Sequence, residues 1–233
     1  MNDQQPVAES MCWLTDVVVN VVLFTLRSRD LQVCLVQRLG SAGEISWSLP
    51  GGQIGVEESL DNAAIRHLRD QTGVEGVYLQ QLYTFGAPQR DPNQRVVCVA
   101  YFALVAADRL MPEKQSACSA NPTWHSMYRL PPLVLDHAAI LEYALTRLRY
   151  KIEYSAVAFE LMPEEFTLRE LQDAYMVILN DQKLDKANFR KKIREARIVE
   201  PINSYRATGG RPARLYRFRA DVQLETKARR IFP

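Results

Sequence analysis

Residues 51–74 read Gly51-Gly52-Gln53-Ile54-Gly55-Val56-Glu57-Glu58-Ser59-Leu60-Asp61-Asn62-Ala63-Ala64-Ile65-Arg66-His67-Leu68-Arg69-Asp70-Gln71-Thr72-Gly73-Val74. Three glycines open the stretch and a fourth closes it. Between them Ser59–Gln71 reads as one helix, and Thr72-Gly73 stops it. The stretch therefore reads as a loop-helix-loop set inside a mixed α/β domain.

Working outward, Asp16–Leu26 and Gln32–Val36 are β-branched runs separated by Ser28–Asp30 and read as paired strands. Val96–Val105 (VVCVAYFALV) is too apolar for a strand with one wet face. A second helix, His137–Lys151, follows Pro131-Pro132, with Asp136 as its expected cap. The first domain is drawn as residues 1–150. Trp47 and Phe85 are expected in the core.

The next residues change character. Phe166-Thr167-Leu168-Arg169-Glu170-Leu171 carries Thr at the N-cap, Glu at N3 and a hydrophobic staple, which is a capping box. That helix runs to Leu179 and breaks at Asn180-Asp181-Gln182. Asp185 caps a further helix, Lys186–Arg197. Two strand-like pieces follow, Ile198–Ser204 and Ala213–Arg219, joined through Thr208-Gly209-Gly210-Arg211-Pro212. Helix, turn, helix and glycine-tipped hairpin is the order of a winged helix-turn-helix, drawn as residues 151–233.

Charge supports the division. Residues 1–150 hold 12 basic and 15 acidic side chains; residues 151–233 hold 17 and 12. Lys183–Arg219 alone carries 12 cations against Asp185, Glu195 and Glu200. Such a density suits a phosphate-bearing partner, and by charge alone a solvated surface would serve as well. On the helix, Phe189 and Ile193 form an apolar stripe. Lys186, Asn188, Arg190, Lys191 and Arg194 are the candidate DNA contacts on its other side, with Arg211 and Arg214 on the wing.

The 233 residues exclude several classes. The charged fraction of 24%, with 10 Gly and 12 Pro, is that of a globular chain. The longest apolar run, Val17–Leu26, is far below the ~20 residues of a membrane span. MNDQQPVAES has no signal-peptide pattern, so a soluble, cytoplasmic protein is expected. Cys12, Cys34, Cys98 and Cys118 lack zinc spacing and are expected as reduced, mostly buried thiols.

Counted from Gly52, five residues, Glu58, seven residues, Arg66, Leu68 and Gly73-Val74 resemble the Nudix box. The match fixes six positions over 23 residues, led in by Trp47-Ser48-Leu49-Pro50-Gly51-Gly52. The resemblance implies an α/β/α sandwich that handles nucleoside diphosphates, with Glu58 and Arg66 paired. The box also asks for three glutamates on one helix face to hold Mg²⁺, a hard cation that wants oxygen ligands. Those positions hold His67, Asp70 and Gln71, so neither a catalytic nor a metal-binding residue is assigned. Phe85-Gly86-Ala87-Pro88-Gln89-Arg90-Asp91-Pro92 before an apolar strand is similar to the Nudix subgroup that recognises ADP-ribose. Arg90 is then a phosphate fork, or else a turn residue paired with Asp91. Arg38, Gly51, Gly52 and Glu58 complete the candidate ligand set.

FTLRELQ, LDKANFRKKI and RPARLYRF behind this domain together resemble the NrtR family, Nudix-related regulators of NAD metabolism. Val134-Leu135-Asp136-His137 fits the segment before that family's interdomain helix. The resemblance implies an α+β chain, a Nudix sandwich followed by a winged helix. It would be a dimeric, nucleoid-associated repressor that binds near-palindromic double-stranded operator DNA, requires no cofactor and is released by ADP-ribose. A Nudix hydrolase of ADP-ribose or a related nucleoside diphosphate, with an accessory DNA-binding domain, is the alternative.

Overall fold

In a computed structural model, residues 15–39, 43–110, 120–154, 156–181, 183–207 and 211–219 are described. Cys12, Cys118, Gln182 and the expected hairpin tip Thr208–Gly210 lie outside them. Ten strands and four α-helices are named among the described residues: β1 (Asp16–Arg27), β2 (Asp30–Leu39), β3 (Ile45–Ser48), β4 (Gly51–Gln53), α1 (Leu60–Thr72), β5 (Tyr78–Phe85), β6 (Val96–Leu104), β7 (Pro122–Ser126), α2 (His137–Tyr154), β8 (Phe166–Thr167), α3 (Leu168–Leu179), α4 (Lys186–Ala196), β9 (Val199–Arg206) and β10 (Ala213–Phe218).

The first seven strands form one mixed sheet in the order β3-β2-β1-β6-β5, with β4 on β1 and β7 on β2. β1 and β6 run parallel at the centre. Both are covered on two faces, which is why their sequences are apolar almost without alternation. Val19, Val21, Leu23, Val99 and Tyr101 face α1 through Ala63, Ala64 and Leu68. Val22, Phe24, Ala100 and Phe102 face α2 through Ile140, Leu141, Ala144 and Leu148. The β1–β2 hairpin turns at Ser28 and Arg29, with φ of 53° and 57°. Two positive φ values are the geometry that matches strand twist in a two-residue turn.

The winged helix has the expected order. Thr167 accepts from the Glu170 amide and Glu170 from the Thr167 amide, completing the capping box of α3. Asn180 and Arg197 close α3 and α4 in the left-handed region. The wing is a three-stranded sheet in the order β8-β10-β9.

Helix α2 runs through residue 150, where the domain boundary was drawn. Its core-facing residues continue into one apolar cluster with Val157, Leu171, Tyr175, Phe189 and Ile193. Polar contacts reinforce that continuity. The Tyr128 hydroxyl and the Arg149 Nε reach the Ile178 carbonyl at 3.2 and 2.9 Å. Tyr175 donates to the Ile152 carbonyl at 3.2 Å, and Arg29 pairs with Asp173 at 2.7 Å. Arg149 thus places positive charge at the carboxyl end of α3, where the helix dipole favours it. Trp47 and Phe85 pack against the core as expected, and Cys34 and Cys98 are buried thiols.

Candidate functional site: a Nudix cleft and a basic helix

The helix α1 starts where Ser59 caps the Asn62 amide. In the loop before it, Glu58 takes two bonds from Arg66, at 2.8 and 2.6 Å, and one from the Gly55 amide. The guanidinium beside it holds the Glu58 carboxyl down to about 2. Arg66 also donates to the Gln53 carbonyl. Glu58 therefore locks the loop to the helix, with its carboxylate engaged in protein contacts.

The helix face that would carry metal ligands is used differently. Gln71 donates to the Gly51 carbonyl at 2.8 Å and accepts from the Gly51 amide at 3.1 Å. His67 Nε2 lies 2.8 Å from the Gln53 carbonyl, and its Nδ1 lies 3.2 Å from the Gln71 amide nitrogen. A carbonyl can only accept, so Nε2 carries the proton and Nδ1 receives from Gln71. Two neutral side chains thereby stitch α1 to β4 where carboxylates would need a cation between them. Asp70 is exposed and paired with Arg69 at 2.8 Å. These residues do not fit Mg²⁺: one carboxylate, an amide and an imidazole supply too few hard oxygens.

Both expected glycines are required by close approach. A Cβ on Gly51, whose φ is +155°, would lie 2.2 Å from the Val19 carbonyl oxygen; one on Gly52 would lie 2.7 Å from the His67 ring. Beside them opens a cleft of ≈ 190 Å³ whose lining includes Arg38, Ser48, Gly51, Gly52, Arg90 and His137. Arg38 is held by the Ser48 hydroxyl at 3.1 Å. Arg90 is turned into the protein: Nε and Nη2 fork onto the two Asp136 oxygens at 3.0 and 2.7 Å. Its partner is Asp136, not Asp91, and the Asp136 carboxylate serves Arg90 where the sequence suggested a helix cap.

His137, absent from the sequence-based set, anchors the back of the cleft. Its Nδ1 accepts the Leu49 amide at 3.0 Å and its Nε2 lies 3.1 Å from the Asn20 carboxamide. Burial pushes its pKa down to about 4. No local pattern singles out one histidine at a helix start as a fixture of the backbone between β3 and β4.

In the winged helix, Phe189 and Ile193 are buried and α4 leaves Lys186, Asn188, Lys191 and Arg194 exposed. Arg190 stands on the flank of that face, half-buried, with its Nε shielded and unbonded among the described residues. At ~100° per residue it stands between buried Ile193 and exposed Arg194, at the edge of the basic face read from the sequence as Arg190, Lys191 and Arg194. Arg211 and Arg214 are exposed on the wing. Arg206 and Arg217 are paired with Glu170 and Glu200.

A Nudix-type sandwich with a neutralised metal face, joined to a winged helix with an open basic helix, defines the class. Sequence comparison agrees: the NUDIX domain matches residues 15–144 and the NrtR DNA-binding winged helix domain residues 158–218. The chain belongs to the NrtR family. It is 35% identical to the ADPR responsive transcriptional repressor NtrR of Acinetobacter baylyi, across 86% of this chain and 80% of that protein. The crystal structure of Shewanella oneidensis NrtR with a 27mer DNA is similar at 34% identity and a TM-score of 0.76. It covers 88% of this chain and 94% of that one. A MutT/nudix family protein of Enterococcus faecalis shares the fold, at 24% identity and a TM-score of 0.70 over 89% of each chain.

Proposed function

We propose that the chain is a DNA-binding repressor of NAD-metabolism genes, released from its operator by ADP-ribose that its Nudix domain binds without hydrolysing. One observation carries this reading. The metal-holding face of α1 is closed by the His67–Gln71–Gly51 clamp while the arginine-flanked cleft beside it stays open. A site kept for binding but stripped of hard ligands senses rather than cleaves. Residues 1–150 form the effector domain and residues 151–233 the DNA-binding domain. Arg38, Gly51, Gly52 and Arg90 meet the diphosphate, and Glu58 supports them through Arg66. Lys186, Asn188, Lys191 and Arg194 enter the major groove with Arg190 steadying the helix, and Arg211 and Arg214 grip backbone. The protein acts as a cytoplasmic, nucleoid-associated homodimer, needs no cofactor, and recognises a near-palindrome. The similarity to two relatives, a repressor matched over 80% of its length and a DNA-bound NrtR matched over 94% of its chain, supports this assignment.

The test selects duplexes from a random library with the purified chain, then titrates ADP-ribose into the complex. Release of DNA with no AMP formed in Mg²⁺ or Mn²⁺ is the expected result. Turnover near ~1 s⁻¹, within the ordinary enzyme range, would make it a hydrolase with an accessory domain.

A further inference from the structure

We propose that the Arg90–Asp136 pair is a latch: a diphosphate in the cleft takes Arg90 from Asp136, and α2 carries the release to the winged helix. The inference rests on the ligand reading above and adds how binding is transmitted.

Of the two arginines lining the cleft, Arg38 is held, among the described residues, by a neutral hydroxyl, whereas Arg90 is bridged twice by a carboxylate. The Arg90 side chain is 2% exposed and that of Asp136 22%. A charge pair so withdrawn from water is weakly screened. An entering diphosphate meets the Arg90 fork as a site occupied by Asp136, which lies behind the lining, while Asp91 is the carboxylate on the lining itself. It must compete for the same two N–H donors. Ligand binding and the bridge therefore oppose one another, which is the differential interaction that a switch requires.

The bridge also holds a strained segment. Leu135, next to Asp136, has a φ of +50° and is half-exposed. A bulky side chain persists in that region only where its surroundings impose it. On one side Val134 donates to the Trp47 carbonyl at 3.0 Å; on the other Asp136 is pinned by Arg90. Asp136 already stands at the N-cap, its carbonyl accepting the Ile140 amide at 3.1 Å. Freed from Arg90, its carboxylate has a second partner at hand in the first-turn amides of α2. One carboxylate with two competing partners makes a two-state element.

Helix α2 joins that element to the DNA-binding half. Its 18 residues span ~27 Å at the ordinary helical rise. At its far end Arg149 and Ile152 are hydrogen-bonded to Ile178 and Tyr175 of α3. Tyr175 in turn stacks edge-on against Phe189 of α4. A shift at Asp136 thus reaches the basic helix through one rigid rod and one aromatic contact.

The experiment measures ADP-ribose affinity by calorimetry, and affinity for the selected duplex by anisotropy, in the wild-type chain and Asp136→Asn. Removing the competing charge should tighten ADP-ribose binding roughly tenfold, and should weaken ligand-free DNA binding several-fold, within the ~5–150-fold range of allosteric coupling. Asp136→Ser, which cannot bridge Arg90 but still caps a helix, should change both affinities in the same directions. Unchanged or weaker ADP-ribose binding in both variants makes Asp136 a positioning residue for Arg90 and overturns the latch, leaving the proposed function intact. Tighter ligand binding with unchanged DNA affinity overturns the transmission through α2. A wild-type chain that binds no ADP-ribose removes the proposed function and the latch together.

Discussion

His137 Nδ1 accepts the Leu49 amide, so the ring must stay neutral for that bond to exist. Burial holds its folded pKa at about 4, below the ordinary histidine value of 6.5. Between those values the unfolded chain binds the extra proton and the fold does not. The contribution is therefore complete above pH 6.5 and is lost progressively as pH falls through about 4, below which both states are charged. At 1.36 kcal/mol per pKa unit it amounts to ~3 kcal/mol. Urea unfolding from pH 7.5 to 4 should show that decline, and His137→Gln should flatten it. Glu58 acts at lower pH. Its carboxyl is held down to about 2, so its contribution persists above the ordinary carboxylate range and disappears on further acidification.

The clamp between α1 and β4 has a consequence of its own. Gly51 is buried, and both of its backbone groups are satisfied by one amide side chain. Gln71→Leu leaves that N–H and C=O unpaired and should cost about 1–3 kcal/mol in chemical denaturation. Gln71→Glu keeps an acceptor for the Gly51 amide but loses the donor to its carbonyl and to His67. It should be destabilised at pH 7 and partly recover on acidification, when the carboxyl regains a proton; a variant indifferent to pH would argue against the clamp. On α3, Thr167→Ala removes half of a capping box and should cost ~1 kcal/mol, measured as a lower Tm.

Across the whole molecule, the exposed cations divide by the element that carries them. Lys191 and Arg194 lie on the open face of α4, and Arg214 lies on the wing with its Nε 3.4 Å from the Ile202 carbonyl. Arg194→Ala should cost about 1–3 kcal/mol on the selected duplex and much less on random DNA. Arg214→Ala should weaken both alike and lower the salt slope by about one unit. Binding isotherms at several salt concentrations separate the two. If Arg194→Ala weakens both DNAs equally, α4 is not the reading element.

Much of this architecture is legible along the chain, because its signals are local. The glycine loop, the Glu58–Arg66 spacing, the Thr167 capping box and the apolar stripe of α4 each depend on residues within one turn or one loop. The same locality made β1, β6 and α1–α4 readable to within a few residues. The short strands β3, β4 and β7 and the edge strand β5 were not legible: β5 alternates weakly and β7 begins at a proline, so neither carries a strong period. What tertiary contact alone decided is the use of each polar group. Asp136 looks like a cap and serves Arg90, 46 residues away. His137 looks like a first-turn residue and supports Leu49, 88 residues away. His67 and Gln71 read only as missing carboxylates, yet fill the place of a metal bridge with hydrogen bonds. A side chain's residue type limits the bonds it can make, but which bond it makes depends on what the fold brings within 3 Å.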